Sequence, residues 1–154
     1  MVRYKNRYIA VRVDPVDASE HAHYRLNSSD LYNAVYDKIQ QLHGDFGVAA
    51  TKVGLCAKYC NEMTRVAFIR ARHGPHTIVA TTLPFINEIA HKRVVIRTLH
   101  CGATMLQCHK FLKKYQRKEL ERTWMIMKPT ERIKLEEEIM NIGLTSFKNK
   151  SRRN

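Results

Sequence analysis

The feature that most constrains the fold is the order in which two hydrophobic periodicities alternate along the chain. Residues 3–13 have period two, Ile9, Val11 and Val13 alternating with Tyr8, Ala10 and Arg12, which predicts a strand. A polar stretch from Asp14-Pro15 to Asn27 reads as a loop. Ser28 or Ser29 can then cap a helix in which Leu31, Val35, Ile39 and Leu42 recur at helical spacing until His43-Gly44 closes it. Two strand-like segments follow, about 47–60 and 65–72, joined by a turn at Asn61-Glu62-Met63-Thr64. Gly74-Pro75 opens a second helix to about Leu83, which Pro84 ends, and Val94, Val95, Ile96 and Leu99 mark a fourth strand over 93–100.

This β-α-β-β-α-β order predicts an α+β protein of ferredoxin-like (RRM-like) type: an antiparallel sheet with two helices on one face, plus additional C-terminal helices. Those helices fall at about 103–118, continuing through Trp124, and at about 131–142, and one of them is expected to cover the open sheet face. The expected organisation is a domain over residues 1–120, a helical extension over 121–146 and a basic tail over 147–154.

Charge narrows the function. Lys and Arg number 27 against 14 Asp and Glu, giving +13 and a pI of about 9.9, a balance that favours polyanions because each neutralised phosphate releases counterions. No run of about 18 apolar residues could span a bilayer. The first residues, with Arg3, Lys5, Arg7 and Arg12, lack a signal-peptide core, so a location on the cytosolic and nuclear side with reduced thiols is expected. Cys56 and Cys60 read as residues of one strand face, about 13 Å apart at 3.3 Å per residue and too far for one tetrahedral zinc.

Two surfaces suit nucleic acid. In the helix over 103–118, Cys108, Phe111, Leu112 and Tyr115 fall on one side and Lys110, Lys113, Lys114 and Arg117 on the other, with no acidic residue to pair with them in that span. In the N-terminal arm, Arg3, Lys5, Asn6 and Arg7 are interleaved with aromatic residues that include Tyr8. The sheet adds Lys52 and Lys58, which alternate with Val53, Leu55, Ala57 and Tyr59, and Arg70 and Arg72. Residues 65–70 offer only Phe68 where an RNA-recognition motif sets closely spaced aromatics, which favours backbone and shape readout over base stacking. Asp14, Asp30, Asp37 and Asp45 are scattered, and the histidines form no nucleophile–base pattern, so no catalytic residue and no metal site is expected in the polypeptide. The other reading of these patterns is a ribosome-associated or generic binder of structured RNA.

Four segments in order extend this reading: Met1-Val2-Arg3-Tyr4-Lys5-Asn6-Arg7-Tyr8; His43-Gly44-Asp45-Phe46-Gly47; Leu83-Pro84-Phe85-Ile86; and Thr98-Leu99-His100-Cys101-Gly102-Ala103-Thr104 followed by Lys110-Phe111-Leu112. Over about residues 1–120 the chain resembles the Pop-five subunit family of ribonuclease P and ribonuclease MRP. The resemblance implies a noncatalytic subunit of a nuclear and nucleolar particle whose RNA, with its own magnesium, removes 5′ leaders from precursor tRNA or processes precursor rRNA. It implies as partners ribonuclease P RNA and ribonuclease MRP RNA, a TIM-barrel ribonuclease P subunit, other subunits of the particle and precursor tRNA, with no cofactor bound by the protein and no membrane. It also places Arg3, Lys5, Asn6 and Arg7, and the segment from Thr104 through Lys110, against RNA. The tail with Lys148, Lys150, Arg152 and Arg153 departs from relatives that end acidic.

Overall fold

A computed structural model describes residues 5–16, 25–62 and 64–124. Arg3, the helix expected at 131–142 and the basic tail lie outside these residues. In chain order the elements are β1 (Asn6–Pro15), α1 (Ser28–Lys52), β2 (Cys56–Asn61), β3 (Val66–Arg72), α2 (His76–Thr82), β4 (Glu88–Ile89), β5 (Lys92–Gly102) and α3 (Met105–Trp124), with a 3-10 turn at Leu83–Phe85 after α2. The strands form one antiparallel sheet in the order β2-β3-β1-β5-β4. Without β4, a two-residue addition at one edge, this is the ferredoxin-like arrangement expected from the element order.

The alternation of β1 divides the sheet into two faces. Ile9, Val11 and Val13 are fully buried and join Ala67, Ile69 and Ala71 of β3, Val94 and Ile96 of β5, and Leu31, Val35 and Ile39 of α1 in one core. On the other face Phe68, also fully buried, is covered by the first two turns of α3. There the His109 ring lies 5.2 Å from Phe68 and 6.3 Å from Tyr59, and His100 stacks on Phe111 at 4.5 Å. The buried Cys108 thiol donates to the Tyr8 carbonyl at 3.3 Å. The expected cover for the second face is thus supplied by the helix that follows β5. The chain divides into two compact units between Phe111 and Leu112, within α3; of the second unit, Leu112 is buried and Lys113 and Lys114 are exposed.

The expectations for α1 and β2 need correction. Gly44 does not close the helix: it takes φ 59 and ψ −157, and the chain turns there and resumes as helix to Lys52, so 47–52 is helical and β2 begins only at Cys56. That conformation is open to glycine but is not the left-handed one that caps a helix; it bends the chain without ending it. Gly47 then passes so close to His43 that a Cβ added to it would lie 2.3 Å from the His43 Cβ. Leu42, expected in the core, lies just before the kink and is 47% exposed.

The faces of β2 also differ from simple alternation. A bulge between Ala57 and Tyr59 leaves Lys58 as the extra residue, so Ala57 pairs with Ile69 while Tyr59 pairs with Phe68 on the opposite face. Cys60 then packs against the core with Ala57, whereas Cys56 pairs with Arg70, so the two thiols occupy different faces rather than one. Burial pushes the Cys60 thiol up to about 11 from its ordinary 9.0. The native state therefore keeps this proton longer than the unfolded chain, and the resulting stabilisation is intact below pH 9.0 and lost as pH rises towards about 11. Unfolding followed across that window is expected to show a steeper alkaline loss in the native protein than in Cys60→Ala; parallel profiles would contradict the assignment.

Candidate nucleic-acid interface

One end of the sheet brings together three of the cations singled out in the sequence, Lys52, Arg70 and Arg72. In the β1–β3 ladder Asn6 pairs with Arg72 and Tyr8 with Arg70, placing these four on the face that α3 partly covers. The Arg70 Nε donates to the Gly54 carbonyl at 3.3 Å, and a Cβ added at Gly54 would lie 3.0 Å from the Arg72 Cγ. Gly54 also has φ +102, so this position needs glycine both for its backbone and for the arginine beside it. Lys52, exposed, is the last residue of α1 and precedes this contact by two positions. Tyr8 pairs on its other side with Gly102, which brings the start of α3 to the same end.

Thr104, expected to face RNA, has a local structural task. Its hydroxyl accepts the Gln107 N–H at 3.3 Å, and the Gln107 side-chain oxygen accepts the Ala103 N–H at 3.0 Å, a reciprocal cap at the start of α3. Along α3, Lys110, Lys113, Lys114 and Arg117 are all exposed, as the helical spacing predicts. Among the described residues no carboxylate pairs with the three lysines. Arg117 differs: α3 runs past Lys118, and the Arg117 Nε lies 3.7 Å from the Glu121 carboxylate, so the expectation of a wholly unpaired basic face holds for the lysines alone. Lys58 is exposed at the bulge of the edge strand β2.

Arg7 does not join Asn6 and Tyr8. It pairs with Ala71, whose side chain is in the core, so Arg7 belongs to the helix-side face and neighbours the turn into α2. The sequence reading, which treated residues 3–8 as one arm, missed this division; strand alternation was the signal that could have shown it.

The carboxylates are less scattered than the sequence suggested. Asp30 and Asp37 of α1 line a cleft with Glu88, Asn87 and His91 beside β4. Glu88 lies 3.5 Å from the His91 Nδ1, and Asp30 accepts from Asn27 at 3.0 Å. Among the described residues no group of His, Cys, Asp or Glu is arranged to hold a metal ion. Asp14 lies between Arg12 at 2.9 Å and Arg65 at 3.9 Å.

These features define a basic α+β protein of ferredoxin-like topology with cations concentrated at one sheet end and along one helix. The chain belongs to the Rpp14/Pop5 family, whose family model matches residues 7–113. It is 38% identical over 126 residues to the ribonuclease P/MRP protein subunit POP5 of Mus musculus, covering 78% of this chain and 72% of that protein. The Homo sapiens subunit of the same name is 35% identical over 126 residues, covering 78% and 75%. That of Schizosaccharomyces pombe is 25% identical over 112 residues, covering 68% and 81%. Among solved structures, a chain of the yeast ribonuclease MRP cryo-EM structure aligns with a TM-score of 0.47 at 12% identity, over 82% of this chain and 99% of that one.

Proposed function

We propose that this chain is a noncatalytic protein subunit of the ribonuclease P/MRP ribonucleoprotein that binds and stabilises the particle's RNA, the RNA carrying out magnesium-dependent cleavage. The observation that carries the reading is the row of Lys110, Lys113 and Lys114, exposed on α3 with no carboxylate partner among the described residues, in a chain similar to ribonuclease P/MRP subunits. Ammonium groups in this state exchange condensed counterions for phosphates. The noncatalytic reading is supported by separation: Asp30 and Asp37 lie in the first half of α1, whereas Lys52 and the cationic sheet end lie at its last residue. Carboxylates placed there are poorly sited to hold a metal against RNA bound at the cations. From kinship come the further expectations of a TIM-barrel subunit as partner, precursor tRNA nearby, and a nuclear and nucleolar location.

Purification of the tagged chain should recover ribonuclease P or MRP RNA; recovery of ribosomal RNA and ribosomal proteins without either would overturn the proposal. With that RNA in hand, Lys110→Ala, Lys113→Ala and Lys114→Ala combined should weaken binding and reduce the slope of log affinity against log salt by about 2 to 3. Arg117→Ala alone should change that slope little, since its charge is already shared with Glu121.

A further inference from the structure

We propose that Arg7, His73 and His76 form a phosphate-binding site on the helix side of the sheet end, so that bound RNA passes around this end instead of lying on one face only. This inference rests on the RNA-binding reading above. Strand alternation sends Arg7 to the face opposite Asn6 and Tyr8. The β1–β3 ladder then extends one step beyond Arg72, the His73 N–H donating to the Lys5 carbonyl at 2.9 Å. Gly74, at φ +100, reverses the chain, and His76 opens α2. The turn brings the His73 and His76 rings to a centroid distance of 5.4 Å.

The polar groups are arranged as donors. The Gly74 N–H donates to the His76 Nδ1 at 3.2 Å, so the neutral ring carries its proton on Nε2, where it can donate to an oxygen. The Arg7 guanidinium makes a hydrogen bond of 3.4 Å to the Asn6 carbonyl and keeps other N–H groups available. Among the described residues no carboxylate pairs with Arg7, His73 or His76. The charged groups that act on His76 are His73 from the turn and Arg7 from β1; together with its burial they push its titration down, burial first. Protonated, the two histidines would repel each other and Arg7, and a phosphate among them would relieve that repulsion. A bound phosphate would favour the protonated form of each ring, His76 taking its second proton on Nδ1 and giving up the bond from the Gly74 N–H as it does so. Phosphate binding and protonation would therefore reinforce each other.

The test uses the full-length protein. In NMR titrations of the histidine ring protons, inorganic phosphate should raise the midpoints of His73 and His76 and leave that of the exposed His43 in place. Midpoints that do not move, or that move equally for all three, would overturn the proposal. With the copurified RNA, affinity should rise as pH falls from 7.5 to 6.0. The double substitution His73→Gln and His76→Gln should lower affinity about five- to tenfold at pH 6.0 and flatten its pH dependence. If that variant keeps the wild-type pH dependence while the triple-lysine variant loses affinity, this site is wrong and the RNA-binding reading stands; if neither variant affects binding, that reading fails too.

Discussion

Phe68→Ala is expected to cost about 3–5 kcal/mol of stability, the upper range for truncating one core side chain. The ring is fully buried on the sheet face opposite the main core, between Tyr59 of β2 at 5.4 Å and His109 of α3 at 5.2 Å. Its removal leaves a cavity that neither neighbour can fill without leaving its own element. The same ring helps seat the first turns of α3, so RNA affinity should fall together with stability in this variant. Urea unfolding of wild type and variant measures the effect, and a loss below about 1 kcal/mol would mean that α3 is not seated on this ring.

The second large effect concerns the kink in α1. A Cβ at Gly47 would stand 2.3 Å from the His43 Cβ and 3.2 Å from the Ile39 Cγ2, so Gly47→Ala must push the two halves of the helix apart, at a cost of about 3 kcal/mol. Gly44→Ala should be milder, about 1–3 kcal/mol, because nothing lies within 4 Å of its added Cβ and only the backbone conformation opposes it. Thermal unfolding should therefore rank wild type above Gly44→Ala above Gly47→Ala. The reverse order would show that backbone strain, not the close approach at residue 47, dominates this segment.

The fold was legible where one periodicity ran unbroken. Ile9, Val11 and Val13 announced β1, and the spacing of Cys108, Phe111 and Leu112 announced α3, because a buried face repeats with the period of its element. Legibility failed where a single residue broke the period. Gly44 carries the same local signal whether it ends a helix or bends one, and only the close passage of Gly47 over His43 decides between them. The bulge at Lys58 turned Tyr59 to the face of Phe68, and nothing in the local pattern of β2 marks that slip. At the candidate site, the lysine row on α3 could be read from spacing alone. The neighbourhood of Arg7, His73 and His76 could not, because it depends on pairing between strands separated by about 60 residues of chain.

The bulge has a consequence for the protein before it meets any RNA. β2 is an outer strand of the sheet, and an outer strand exposes unpaired backbone groups on which another chain can build. An extra residue interrupts the regular spacing of those groups, and Lys58 sets a charge where an added strand would have to lie. A second copy approaching this edge meets both a broken register and its own positive charge. Deleting Lys58 would restore a regular edge and remove its local charge. The free subunit would then be expected to aggregate more readily, most of all at high ionic strength where its remaining positive charge is screened.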